Sequence, residues 1–483
     1  MATIDEKLVA KVVGEVLTRL KARPLATPAA SAASASEPSG LGVYDDMGAA
    51  IEAAQRSFEK LRDGGMTARK KAIAVIRRLC VQKAKEWGGI EFAETKIGRL
   101  AHKIEKLEIC GDLVPGVEMI DRMAFSGDSG LTVIDHAPWG VIGAVTPSTH
   151  SVPTLTGNAI NMIAAGNAVV FNTHPAAAQC AAVAIREYNR AIFAETGISD
   201  LLTAVVKPTL ETFDTLCRHP LVKLLCVTGG PAVVAAAMKV GKRAVCAGPG
   251  NPPVVVDETA DLDHAARSII QGASYDNNLL CIGEKEVFVV ASVADKLMDA
   301  LRRAGAVQLH AKQIELLAEK VFVVPPGQGA GCAHPVVSRD FVGRDASVLA
   351  RAIGMDVPAS TQLLFGETKE DHIFVHEEQM MPFIPIVRMP DVDAAIQAAI
   401  RAEHGYKHTG IMHSQNIRNL TKMAQEIDTT LFIKNGPCMT GLGLGGEGFL
   451  SFSIATPTGE GVTTPMTFTR SRRCVMVENL NLY

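Results

Sequence analysis

One short stretch of the chain holds residue types that can do covalent chemistry. Asp276-Asn277-Asn278-Leu279-Leu280-Cys281-Ile282-Gly283-Glu284-Lys285 is a polar loop with one cysteine, and it runs into the apolar segment Val287-Phe288-Val289-Val290. A loop just ahead of a strand is where a rigid scaffold can present a thiol to a carbonyl carbon. The competing reading is that Cys281 is one of ten cysteines and packs as a small, inert hydrophobe. A second candidate is Thr228-Gly229-Gly230-Pro231, which joins the apolar run 222–227 to the run 232–240. Glycines at a strand-to-helix turn let backbone amides approach a phosphate, and Pro231 suits the first turn of a helix. An ordinary turn between strand and helix has the same composition. The dinucleotide fingerprint G-x-G-x-x-G is absent.

The elements that must position these residues follow from hydrophobic periodicity. Residues 48–123 read as helical, for example 67–85. Strands are expected at 132–135, 140–145, 168–172, 201–206 and 222–227, with helices at 156–165, 176–196 and 210–218. Strands alternating with helices imply a parallel sheet covered on both faces. Gly248-Pro249-Gly250-Asn251-Pro252-Pro253 marks a break, and Val254–Val256 opens a second α/β segment that reaches about residue 435. The end of the chain is glycine-dense from Gly441 to Gly461.

Composition narrows the function. At 483 residues two or three domains are expected. Lysine and arginine number 48 against 51 aspartates and glutamates, and aromatics are 5%. That near-balance and scarcity argue against nucleic acid as a partner. No apolar run reaches the length of a membrane span, and the N-terminus has no secretory pattern. The cysteines show no C-x-x-C and no zinc spacing, so no metal site is expected and the thiols are read as free.

Residues 1–20 form a separate unit. Ile4, Leu8, Val9, Val12, Val13, Val16, Leu17 and Leu20 make one apolar stripe at helical spacing. The alanine-, serine- and proline-rich segment 21–40 reads as a flexible linker. A tethered amphipathic helix either docks on a partner or folds back on its own domain.

Together these pieces resemble the aldehyde dehydrogenase superfamily, and within it the CoA-acylating enzymes of bacterial microcompartments. The resemblance is carried by Thr146-Pro147-Ser148-Thr149, Val227-Thr228-Gly229-Gly230, Gly248 to Pro253, Asn277 to Lys285, Met412-His413-Ser414-Gln415-Asn416 and Ala455 to Gly461. It covers residue 41 to the end. The fold it implies is α/β: a Rossmann-like NAD-binding domain over 41–252, to which 440–465 returns, and a catalytic domain over 253–439. A small oligomerisation element would be built from 124–137 and 466–483, giving a dimer or tetramer. Residues 1–20 look like the encapsulation peptide with which such enzymes dock on shell or cargo proteins, which implies the lumen of a microcompartment.

The implied reaction takes an aldehyde, NAD and coenzyme A to acyl-CoA and NADH. Propionaldehyde is the first expectation, then acetaldehyde and lactaldehyde. Cys281 matches the family nucleophile. In the family an asparagine following Thr-Pro-Ser-Thr helps bind the oxyanion; here His150 stands at that place. It either takes the asparagine's role or only lines the pocket. For the cofactor the resemblance implies Thr146, Pro147, Ser148 and Gly248 at the nicotinamide. Thr228, Gly229 and Gly230 would meet the phosphates, His174 and Pro175 the adenosine ribose, and Glu378 a ribose hydroxyl. Hydrolytic relatives use a glutamate where this chain has Cys246, and no acid lies between Asp214 and Asp257. That favours a thiol over water as the acyl acceptor. The open alternatives are a hydrolytic enzyme and a non-catalytic cargo or scaffold protein.

Overall fold

A computed structural model describes residues 40–323 and 335–480. The helix and most of the linker expected over residues 1–40 lie outside the described residues.

Helix α1 (Met47–Gln82) starts at an Asp46 cap whose carboxylate accepts the Ala49 amide at 2.8 Å. It breaks at Gly65, whose φ of 58° and ψ of −150° leave the helical region, as expected at a glycine pair. Helices α2 (Ala84–Thr95) and α3 (Leu100–Leu113) follow.

Next comes a six-stranded, all-parallel sheet. Its spatial order is Val43–Tyr44, Leu202–Val205, Ala168–Thr173, Val141–Thr146, Val222–Thr228 and Ala244–Ala247. The chain builds outward from Val141–Thr146 in one direction, then returns to build on its other side. Such a reversal opens a crevice at the carboxyl ends of the strands, here at Thr146, Thr173 and Thr228. Helices α4 (Ser151–Ala164), α5 (Ala178–Thr196), α6 (Leu210–Arg218) and α7 (Pro231–Met238) make the crossovers. The expected helix at 156–165 begins five residues earlier. Pro153 falls in its first turn, where a missing N–H costs nothing. Two short edge strands, Val43–Tyr44 and Ala244–Ala247, were not anticipated because too few residues carry their pattern.

The second sheet has seven parallel strands in the order Val307–Gln308, Leu364–Thr368, Phe383–Met389, Glu286–Val290, Pro253–Val256, Thr409–His413 and Leu431–Lys434. Helix α8 (Leu262–Ser274) delivers the chain to the cysteine loop. The central strands of both sheets are buried throughout, which explains their continuous apolar runs. A third, antiparallel sheet joins Met123–Gly127, Gly130–Pro138 and Thr469–Val477. Its outer strands leave Phe125, Val475 and Val477 more than half exposed.

Candidate active site

All twelve residues that the sequence marks for catalysis or cofactor binding line one cavity of about 630 Å³. Thr146, Pro147, Ser148 and His150 come from the turn after one central strand, and His174 and Pro175 from the turn after its neighbour. Thr228, Gly229 and Gly230 come from the turn into α7. Gly248 comes from the turn after the edge strand Ala244–Ala247, and Cys281 and Glu378 come from segments that lead into strands of the second sheet. Asn172, Phe213, Leu279 and Met380 also contribute to the wall; these are apolar or amide side chains without a distinctive motif.

The nucleophile loop is tightly specified. Asp276, Asn277 and Asn278 all have positive φ, at 48°, 57° and 65°, a region that asparagine and aspartate tolerate better than other side chains. Asn277 donates to Gly98 O, Gly343 O and Asp345 Oδ1. Asn278 donates to Ala273 O and Glu284 O, both at 2.9 Å. Lys285 is fully buried and donates to Asn278 O, Asn278 Oδ1 and Leu280 O. The loop is thus a rigid hydrogen-bonded knot that offers Cys281 to the cavity. Gly250 touches it so closely that a Cβ there would sit 2.5 Å from the Cys281 carbonyl oxygen, so only glycine fits.

Electrostatics hold the Cys281 thiol and the His150 imidazole neutral at rest. Burial pushes the Cys281 thiol up to about 12, with the Glu378 carboxyl adding to the shift and Lys285 opposing it. Burial raises Glu378 above the usual carboxylate range, against the pull of Lys285 and of the Gly250 amide. Burial, then the charges of Lys106 and Lys103, hold the His150 imidazole well below its usual value. His150 is therefore neutral near pH 7 and can donate one hydrogen bond.

His150 is the N-cap residue of α4, is 4% exposed, and packs its ring 5.5 Å from that of Phe452. Its side chain does not cap the helix. Glu91 from α2 does so instead, accepting the Ser151 amide at 3.2 Å and the Val152 amide at 3.1 Å. The imidazole is left free of a capping duty. Its Nδ1 has no partner.

The cavity suits a dinucleotide. The Thr146 hydroxyl is buried without a partner, and Gly230 at the N-cap of α7 has open space where a Cβ would project. Thr228 is pinned by Ser453 at 2.8 Å, and Ser453 donates onward to Asn158 Oδ1 at 3.0 Å. Ser453 and Phe452 therefore shape the site from the glycine-dense end. Sequence reasoning passed over both, since a serine and a phenylalanine carry no signal outside a motif. Cys246 is buried, and its thiol is raised to about 11 by burial and then by Glu460. The run without acids does not leave the site without a carboxylate, because Glu378 reaches the same cavity from elsewhere. Among the described residues no cluster of His, Cys, Asp and Glu could hold a metal ion, and no helix is long and apolar enough to cross a membrane.

Comparison with known proteins bears on this geometry. The family model described as "Aldehyde dehydrogenase family" matches residues 27–313. The chain is 45% identical to an acetylating acetaldehyde dehydrogenase of Bilophila wadsworthia, over 99% of both chains. It is 42% identical to the propionaldehyde dehydrogenase of Rhodopseudomonas palustris solved with bound CoA and an acylated cysteine. That match has a TM-score of 0.88 and covers 92% of this chain and 99% of that one. A propionaldehyde dehydrogenase from the fucose utilisation microcompartment of Clostridium phytofermentans matches at 40% identity and a TM-score of 0.88, over 92% of this chain and 100% of that one.

Proposed function

The chain belongs to the aldehyde dehydrogenase family, and on that premise we propose that it is a CoA-acylating member. It oxidises a short-chain aldehyde with a nicotinamide dinucleotide and CoA and releases the acyl-CoA. The observation that carries this reading is the single cavity that brings Cys281, His150 and the cofactor-binding set together.

Cys281 releases its thiol proton to solvent, and the thiolate adds to the aldehyde carbon. A C–S bond forms and the carbonyl oxygen becomes the alkoxide of a thiohemiacetal. His150 and the backbone amide of Cys281 are the donors assigned to that oxygen. A bound nicotinamide supplies the hydride acceptor. Thr146, Pro147, Ser148 and Gly248 would face its ring, Thr228 to Gly230 its phosphates, and His174, Pro175 and Glu378 its riboses. Loss of hydride leaves a thioester on Cys281. The CoA thiol then attacks the acyl carbon, the bond to Cys281 breaks, and the enzyme thiol returns.

We assign a two- or three-carbon aldehyde, with acetaldehyde alongside the propionaldehyde first expected. The 45% identity to an acetylating relative and the 42% identity to a propionaldehyde enzyme support both. NADH formation with and without CoA tests the acyl acceptor. Turnover is expected to require CoA. Full-rate turnover without it, yielding free acid, would assign the enzyme to the hydrolytic class.

We assign residues 41–252 with 440–465 to cofactor binding and 253–439 to catalysis. We assign 124–137 with 466–483 to oligomerisation, supported by the exposed Phe125, Val475 and Val477 on that sheet. Residues 1–20 are assigned to docking on shell or cargo proteins of a microcompartment, supported by their apolar stripe and by the compartment source of the Clostridium relative. A fluorescent protein carrying residues 1–40 is expected to form puncta in shell-producing cells. Diffuse fluorescence there would remove that assignment.

A further inference from the structure

Four charged side chains with no role in the steps above are buried together between α2, α3 and the nucleophile loop. Glu91, Lys103, Lys106 and Asp276 are each fully shielded from solvent. Lys106 Nζ lies 2.5 Å and Lys103 Nζ 3.6 Å from Asp276 Oδ2, and Lys103 Nζ lies 3.2 Å from Glu91 Oε1. The charges cancel. Burial pushes the Asp276 carboxyl up, but Lys106 and Lys103 outweigh it and hold it below the usual range.

Stability is a weak reason for such a cluster. Packed apolar residues of similar volume often do as well or better in place of buried ions. The contacts of the four point elsewhere. Lys103 Nζ also donates to the Thr149 carbonyl, one residue before His150. Glu91 holds the amides of Ser151 and Val152, just after His150. Asp276 opens the run of three positive-φ residues that leads to Cys281, and its Oδ1 accepts the Arg99 amide at 2.7 Å. A run of left-handed non-glycine residues persists only where its surroundings over-determine it.

We propose that the Glu91–Lys103–Asp276–Lys106 quartet positions the two halves of the reaction centre against each other, with Lys103 linking the Cys281 loop to the His150 turn. This rests on the acylating reading of Cys281 and His150. Lys103 is a positioning residue in it: it acts through Thr149, Glu91 and Asp276 and does not meet the aldehyde. Lys103 and Lys106 also place positive charge near His150, which helps keep its imidazole neutral. The other titratable groups that share the cavity with that ring are Cys281 and Glu378, and Phe452 packs against it without charge.

Steady-state kinetics of the full chain test this with two variants. Lys103→Met removes the link but leaves Glu91 a buried carboxylate without its cation. Glu91→Gln with Lys103→Met removes one charge of each sign and guards against misfolding. Both are expected to lower kcat with CoA about 10- to 100-fold, since small misplacement of reacting groups has effects of that size. KM for NAD and CoA should stay within about twofold, as for an interaction felt mainly in the transition state. In Lys103→Met any His150-dependent step in the kcat/KM profile should move toward higher pH than in the wild type, because one of the charges that depress the imidazole is gone while burial and Lys106 remain. If only the double variant folds, its kcat decides. Wild-type kcat in the double variant would overturn the proposal. So would raised KM and a lower Tm with an unchanged pH profile, which is the mark of a merely structural cluster. Failure of the acylating reading is distinguishable, because it shows in the wild type as turnover that ignores CoA.

Discussion

Replacing Cys281 by alanine is expected to abolish CoA-dependent aldehyde oxidation, with a loss of about 10⁴-fold or more, as for other covalent nucleophiles. Fold and cofactor binding should survive. The side chain sits at the cavity wall, and Asn277, Asn278 and Lys285 hold the loop through contacts that do not involve the thiol. Retained binding of NAD with lost turnover is therefore the predicted signature, and stopped-flow absorbance of NADH reads it directly. The free thiol, raised to about 12, is protonated at neutral pH. Its alkylation by iodoacetamide in the resting enzyme should be slow at pH 7 and climb steadily up to and beyond pH 9, because only the thiolate reacts. Fast alkylation at pH 7 would mean that Lys285 offsets burial more strongly than the resting geometry implies.

The second large effect concerns the oxyanion. His150→Ala is expected to lower the rate of hydride transfer about 10²- to 10³-fold, the usual consequence of losing one preorganised donor. His150→Asn should recover much of that loss, because an amide N–H can take over the donation. The neutral state of His150 sets the sign of the pH effect. Its depressed pKa, caused by burial and then by Lys106 and Lys103, means that acidification from pH 8 to 6 leaves this donor unchanged. An acidic limb near pH 6.5 in the wild-type profile, removed in His150→Asn, would show that the imidazole titrates in the working range. An alanine variant with the wild-type hydride-transfer rate would assign His150 to the pocket wall alone.

Part of this architecture was legible from residues alone, and the rest was not for identifiable reasons. The parallel sheet was readable because buried central strands such as 168–173 are continuous apolar runs between turn residues. Of the cavity set, the Cys281 loop and the turn Thr228 to Gly230 were readable from their residue types, while Thr146, Pro147, Ser148, His150, His174, Pro175, Gly248 and Glu378 came from the family resemblance. The buried lysines were not. Lys103 and Lys106 lie in a helical segment where charge normally means solvent. They occupy the same face as Leu107 and Cys110, and that placement on the apolar stripe was the available signal. Glu91 was hidden in the same way, since its partners are backbone amides 60 and 61 residues away. The reach of Glu378 into the site was also invisible to local reading. The acid-free run around Cys246 covers three strands and one helix that are consecutive in the chain, whereas the cavity is assembled from segments hundreds of residues apart.

Trapping the acyl-enzyme tests the central claim most directly. The full-length protein is mixed with NAD and propionaldehyde or acetaldehyde in the absence of CoA, quenched in acid, digested and examined by mass spectrometry. A mass gain of one acyl group on the peptide that contains Cys281, lost on brief exposure to CoA as acyl-CoA appears, is the predicted result. An adduct on another cysteine, or none at all while NADH and free acid accumulate, would contradict it.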